Sequence, residues 1–195
     1  MGPAEARFHV HRGFLCKTSA FLKAACSKVW KEGQDKKIKL PECDSHAFNL
    51  YVRWLYVDRL EPKITTGKCE AGTSPSSPTL HLLVTLWSMG DFLGDITFTN
   101  IVIDAVLRHL DSNRSDTLNA KDLSKLLPNI PQDSKLRSLL MDVILSRITQ
   151  TTFEAQKEAW PREVLAHLAL TACRDGCNAH RCPAFYNRHF YYAKA

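Results

Sequence analysis

Apolar residues in this chain mostly recur three and four places apart, the spacing that gathers them on one face of an α-helix. Phe48, Tyr51, Val52 and Leu55 form the clearest such face. Asp44 or Ser45 stands just before it, where a side-chain oxygen can take an otherwise unpaired amide, and the run predicts a helix ending near Tyr56. Leu80, Leu83, Leu86 and Trp87 start a second helix that continues to Phe92 and Leu93. Beyond Gly94 and Asp95, the segment from Phe98 to Leu110 carries Ile101, Val102, Ile103, Val106 and Leu107. It is apolar on most sides, which predicts a helix covered by neighbours on several faces. Three more helices are expected further on: a short one near 120–127, one capped by Ser134 with Leu136, Leu139, Leu140, Val143 and Ile144, and one opening at Pro161 and running to about Ala172.

The N-terminal part is more broken. Residues 12–25 carry Phe14, Leu15, Phe21, Leu22 and Ala25, and Ser19 suits a cap, so two short helices with a break near Thr18 are expected. Phe8-His9-Val10 reads as the tail of a strand, and Ile38-Lys39-Leu40 as a short strand stopped by Pro41. Residues 62–79 turn to Gly, Ser, Thr, Pro and Lys, too polar to bury much surface, and are expected to form a mobile surface loop. Residues 111–116 make a polar linker, and residues 173–195 show no clean period. The predicted class is α+β, mostly helical: a helical cluster with a small, incomplete sheet over 1–110, a helical extension over 111–172, and a Cys/His-rich tail over 173–195. Val10, Leu15, Phe21, Phe48, Leu55 and Leu86 are expected to be buried together.

Composition narrows the function. The chain has 195 residues, 45% of them hydrophobic and 24% charged, enough for one folded domain with an appendage. No apolar run is long enough to span a membrane, and residues 1–8 lack the apolar core of a signal peptide. The seven cysteines are odd in number, and Cys16, Cys26, Cys43 and Cys69 are widely scattered, the usage of reduced thiols in the cytosol or nucleus. The net charge of +6 raises the question of nucleic acid. Its distribution argues against that partner: the basic residues are spread out, often with acids nearby, and no finger, zipper or RNA-recognition spacing accompanies them.

Catalytic patterns are missing. The chain has no nucleophile elbow, phosphate-binding loop, dinucleotide fingerprint or zinc-protease helix, and no enzyme is expected. Asp91 and Asp95, four apart at a helix end, read as a cap and a solvated face rather than an acid/base pair. His11 reads as a satisfied, half-buried histidine, and Trp54, Tyr56 and Trp87 as core. The metal candidates are Cys173, Cys177, His180 and Cys182, with His189 beyond, because thiolate and imidazole together suit zinc. Their spacing matches no familiar finger. A zinc-stabilised binding module acting through the tail is therefore the alternative function, and a degenerate domain without a retained partner is a third.

The word pattern goes further than periodicity. Phe8-His9-Val10-His11-Arg12, Leu15 and Ser19-Ala20-Phe21-Leu22 resemble the signature of BTB/POZ domains. Ile38-Lys39-Leu40-Pro41, then Phe48 with Trp54-Leu55-Tyr56, then Met89-Gly90-Asp91-Phe92-Leu93 follow in the family's order, the last piece being like fungal members. The resemblance covers about Arg7 to Leu110. It implies a protein-interaction module with protein partners, among them a second copy of the chain in a homodimer. In the family a strand precedes the turn that Gly2-Pro3-Ala4-Glu5 resembles. Met1 stands in its place, so a truncated start and a sheet one strand short are expected. Adaptors of this family that bind a cullin scaffold carry a hydrophobic-x-Glu motif in the loop before the strand equivalent to Ile38. Trp30-Lys31-Glu32 sits there, so the resemblance implies partner-binding roles for Trp30 and Glu32 and a place as substrate adaptor in a cullin-type ubiquitin ligase.

Overall fold

Side-chain caps set where the helices start. Ser19 Oγ accepts the Leu22 N–H at 3.0 Å, an Asp44 carboxylate oxygen accepts that of Ala47 at 2.8 Å, and Ser134 Oγ accepts that of Arg137 at 3.2 Å. Asn119 and Thr149 cap in the same way. Each satisfies an amide that the helix itself leaves unpaired. The computed structural model describes residues 6–27, 31–60, 78–112, 119–175 and 188–193. Within them run α1 (Arg12–Leu15), α2 (Ala20–Ala25), α3 (Lys31–Asp35), α4 (Ser45–Val57), α5 (Pro78–Phe92), α6 (Ile96–Ser112), α7 (Ala120–Leu126), α8 (Lys135–Arg147), α9 (Gln150–Ala155) and α10 (Arg162–Asp175), with 3-10 turns at Leu127–Asn129 and Arg188–Tyr191.

The antiparallel pair α5 and α6 forms the centre. Gly90 lets the two approach closely: a Cβ there would stand 2.8 Å from the Phe98 ring and 3.0 Å from the Thr99 methyl. Gly94 turns the chain between them at a φ of +59°, a left-handed conformation that costs glycine least. The polar centre of the fold is the next residue. Asp95 is fully buried. One of its oxygens caps α6 by accepting the Phe98 N–H at 3.0 Å. The other accepts the Thr18 hydroxyl at 2.5 Å and the Tyr51 hydroxyl at 2.8 Å. One carboxylate thus ties the start of α6 to α4 and to the turn before α2. Beside it, the carbonyls that α5 leaves free at its end receive the amides that α2 leaves free at its start: Phe21 N–H donates to the Leu93 carbonyl at 3.3 Å, and Ser19 Oγ donates to the same oxygen at 2.6 Å.

The main core gathers Phe48, Tyr51, Trp54, Leu83, Leu86, Phe98, Val102 and Val106 with Leu136, Leu139, Leu140 and Val143 of α8. It therefore passes without a break from the first helices into α8. A smaller cluster of Ala120, Leu123, Leu127, Met141, Ile144, Trp160 and Val164 joins α7, α8 and α10. Residues 188–193, part of the stretch without a sequence period, are tied down by side chains. Tyr191 is buried and donates its hydroxyl to Asp142 at 2.5 Å, Tyr192 donates to Asp104 at 2.5 Å, and Asn100 exchanges hydrogen bonds with the backbone of Ala193.

Several expectations need correction. Among the described residues no strand forms. A strand exists only where a second one completes its ladder. Here the apolar side chains of both short segments meet helices instead: the Phe8 ring edges against Phe48 at 5.0 Å while staying partly exposed, and Ile38 and Leu40 pack against the main core. Phe48, Leu55 and Leu86 are buried, but Val10 and Leu15 are only half-buried and Phe21 is exposed. The reason for Phe21 is geometric. The six-residue α2 is held by its first amides and turns only Leu22 inward, which leaves Phe21 on the rim against Phe92, at 5.3 Å. The polar stretch expected from 111 begins after Ser112, where α6 ends. The expected loop lies outside the described residues except for Pro78 and Thr79, which open α5. Residues 1–5 also lie outside them.

Replacing Asp95 with Ala would leave three buried donors without their acceptor, and should lower unfolding stability by about 3 kcal/mol or more in urea titration. Tyr51→Phe should cost about 2 kcal/mol, the loss of a single hydrogen bond to a charged group. The buried phenol also carries a pH signature. Burial, reinforced by the Asp95 charge, pushes the Tyr51 phenol well above its ordinary value of 10.0. The unfolded phenol loses its proton first, so stability should fall as pH rises above about 10. Tyr51→Phe should shallow that fall.

Candidate functional site

The N-terminal segment does not go into the core. It lies along α4 and lifts aromatic rings into solvent. The link is Tyr56, whose hydroxyl accepts the His11 N–H at 3.0 Å and lies 2.6 Å from His11 Nδ1. The Phe14 ring packs over Tyr56 at 4.5 Å between centroids, and the His11 ring is 5.9 Å from Tyr56 and 6.4 Å from Phe14. These rings hold one another, so their exposed faces are ordered before anything binds. Phe14 is 39% exposed, Tyr56 41% and Val57 63%, and Phe8 adds a further partly exposed ring. Single exposed apolar residues are ordinary on a protein surface; a contiguous group of them is the kind of patch that interaction surfaces use. Tyr56, expected in the core, is thus a surface ring, and His11 is exposed, satisfied by that ring rather than by burial.

The charge around the patch is mostly positive. Arg7, Arg12, Lys17 and Lys23 are exposed and are the charged residues of segment 6–27, which holds no acid. Exposed Arg53 and Arg59 extend the same sign along and beyond α4, with Asp58 between Val57 and Arg59. Tyr and Arg together are typical of surfaces where a partner docks. A second, smaller apolar rim of Phe21, Phe92 and Ile96 lies where α2 meets the turn between α5 and α6.

Glu32 is exposed, but it belongs to the first turn of α3 and not to a loop as expected. Trp30 lies outside the described residues, so its place beside Glu32 is not defined. Of the expected metal group, Cys173 is exposed on α10, while Cys177, His180 and Cys182 lie outside the described residues. Among the described residues no group of three or more His, Cys, Asp or Glu side chains comes together as a metal site.

Two other features have chemical character. A shallow groove is lined by Leu127, Pro128, Asn129, Ile130, Pro131 and Arg137. Its guanidinium is already engaged, since Arg137 donates to the Leu127 and Ile130 carbonyls and pairs with Glu163. The other feature is a pair of thiols at the ends of α1 and α2. Burial, with the neighbouring Cys16 thiol, pushes the Cys26 thiol up to about 11, against a weaker pull downwards from Arg12. Neither Tyr56 nor Asp95 nor Cys26 was singled out for a role of this kind by the sequence pattern; only the helix periodicity of Tyr56 and the caps pointed near them.

The BTB/POZ domain family model matches residues 3–71 of this chain. The matched span contains α1 to α4 and thus the whole aromatic patch, and it ends before α5, whose resemblance to the family pattern lies outside it. No curated protein and no solved structure matches the chain.

Tyr56→Phe removes the hydroxyl that holds His11 while keeping the ring. Amide hydrogen exchange at His11 and the residues after it should speed up, and the global unfolding free energy should change by about 0.5 kcal/mol or less, as at other surface positions.

Proposed function

We propose that this chain is a protein-docking module of the BTB/POZ type, with residues 1–110 as its working part and 111–172 as a helical extension, and that it serves as a substrate adaptor on a cullin scaffold. The coarse half of this reading follows from the family match, because a BTB/POZ domain is a protein–protein interaction module. The observation that carries it to a place on the molecule is the ordered cluster of Phe14, Tyr56 and His11 rings on the matched segment. Rings already fixed by their neighbours lose little freedom on binding, which favours affinity. The cullin half rests on Trp30-Lys31-Glu32. Glu32 is exposed in α3, where a carboxylate can meet a basic group on a partner's rim, and Trp30 supplies a large apolar side chain for a pocket.

Co-purification with a cullin tests this reading. Trp30→Ala should abolish it, with an unchanged circular-dichroism spectrum, since truncating an aromatic anchor typically costs about 2 kcal/mol or more. Glu32→Ala should weaken it modestly, and more at low salt than at high salt. Phe14→Ala should reduce binding by about 30-fold with less than about 1 kcal/mol lost in stability, because a ring this exposed contributes more to a partner than to the fold. Full binding by all three variants would remove the cullin scaffold and the aromatic patch from the proposal.

A further inference from the structure

The ends of α1 and α2 meet. Cys16 closes α1 and Cys26 closes α2. Cys16 Sγ lies 3.8 Å from the Leu22 carbonyl oxygen, and the Cys26 N–H donates to that same oxygen at 2.9 Å. A side chain at the end of a helix leans back towards its N-terminus, which carries the Cys26 thiol over the turn that holds Leu22. Both cysteines thus gather on one carbonyl, one by its sulfur and the other by its amide. Both are half-buried, so a small reagent can reach them, whereas neither is open enough to meet a second protein's thiol easily.

We propose that Cys16 and Cys26 form an oxidisable dithiol, which closes into a disulfide by exchange with a small-molecule disulfide of the glutathione type. One cysteine thiolate attacks a sulfur of oxidised glutathione, forms a mixed disulfide and releases one glutathione thiolate, which takes up a proton. The second cysteine, as thiolate, then attacks the protein-bound sulfur and releases the second glutathione. The protein loses two S–H hydrogens and gains one S–S bond, and one glutathione disulfide is reduced to two thiols. The new bond would lock α1, which carries Phe14, to the end of α2, only four residues before Trp30. Oxidation would thus act on the aromatic surface. The proposal stands on the thiol geometry and does not depend on a cullin partner.

The chemistry also sets the tempo. Burial holds the Cys26 thiol at about 11, so its thiolate is scarce at neutral pH, and its attack should speed up roughly tenfold per pH unit on the way there. A high-pKa thiol is also a poor leaving group, so the closed disulfide should reopen slowly. These properties suit a slow, stable lock rather than a fast sensor.

The test uses the full chain, reduced and then held without oxygen in oxidised glutathione at mildly alkaline pH, followed by peptide mapping without reductant. The expected product is a Cys16–Cys26 linked peptide, lighter than the sum of its reduced parts by two hydrogens, forming ahead of any link to Cys43 or Cys173. In Cys16→Ser the remaining Cys26 should instead retain a glutathione adduct that the wild-type chain does not accumulate. A wild-type chain that carries separate glutathione adducts on Cys16 and Cys26, or that links neither residue, would overturn the proposal. The wild-type map decides the matter even if the serine variant melts early, and Cys16→Ala provides the same comparison without a hydroxyl.

Discussion

Asp95 has no exposed surface and yet is satisfied on both oxygens, by the first turn of α6, by Thr18 and by Tyr51. A carboxylate taken out of water is costly unless each oxygen finds donors, and those donors must then be held in place. Here they come from three parts of the chain that lie far apart in sequence. That requirement fixes where α4 crosses the α5–α6 pair and where the turn before α2 must run. The carbonyls of Leu93 and Gly94 extend the arrangement by receiving the first amides of α2. Without this junction the short α1 and α2 would have little reason to stay where they are, since a helix of four to six residues cannot hold itself in water.

The candidate surface inherits its order from that junction. Phe14 lies on α1 and Tyr56 on α4, and the two rings meet because the Asp95 network sets both elements against the same core. The functional reading and the redox reading therefore share one structural origin. The same anchoring of α1 and α2 that presents the aromatic rings also brings Cys16 and Cys26 around the Leu22 carbonyl. Tyr191 and Tyr192 bind α8 and α6 through Asp142 and Asp104, so residues 188–193 are joined to the folded body.

Much of the helical architecture was legible because its determinants are local. Ser19, Asp44 and Ser134 each take an amide three residues on, and the apolar face of α4 is set by spacing alone. The aromatic surface was legible only in part. Tyr56 and Phe21 sit at spacings that suit a buried face, and nothing near them in sequence says that the face has a rim. The family resemblance puts Glu32 in a loop, and the five residues of α3 are too few to show a period against it.

The sequence by itself determined most of the segments that become helices, α3 and α9 excepted, and where most of those begin, because a cap and an apolar face are properties of a few neighbouring residues. It also determined the likeness of residues 3–71 to the BTB/POZ family, which is a matter of residue order. The tertiary structure alone decided which apolar residues stay outside, which carboxylate becomes the buried junction, and whether residues 8–10 and 38–40 pair as strands. Each of those outcomes depends on partners tens of residues away: Thr18 and Tyr51 for Asp95, Phe48 for Phe8, and the main core for Ile38. Exposure and pairing arise only when distant surfaces meet, and no local pattern carries that information.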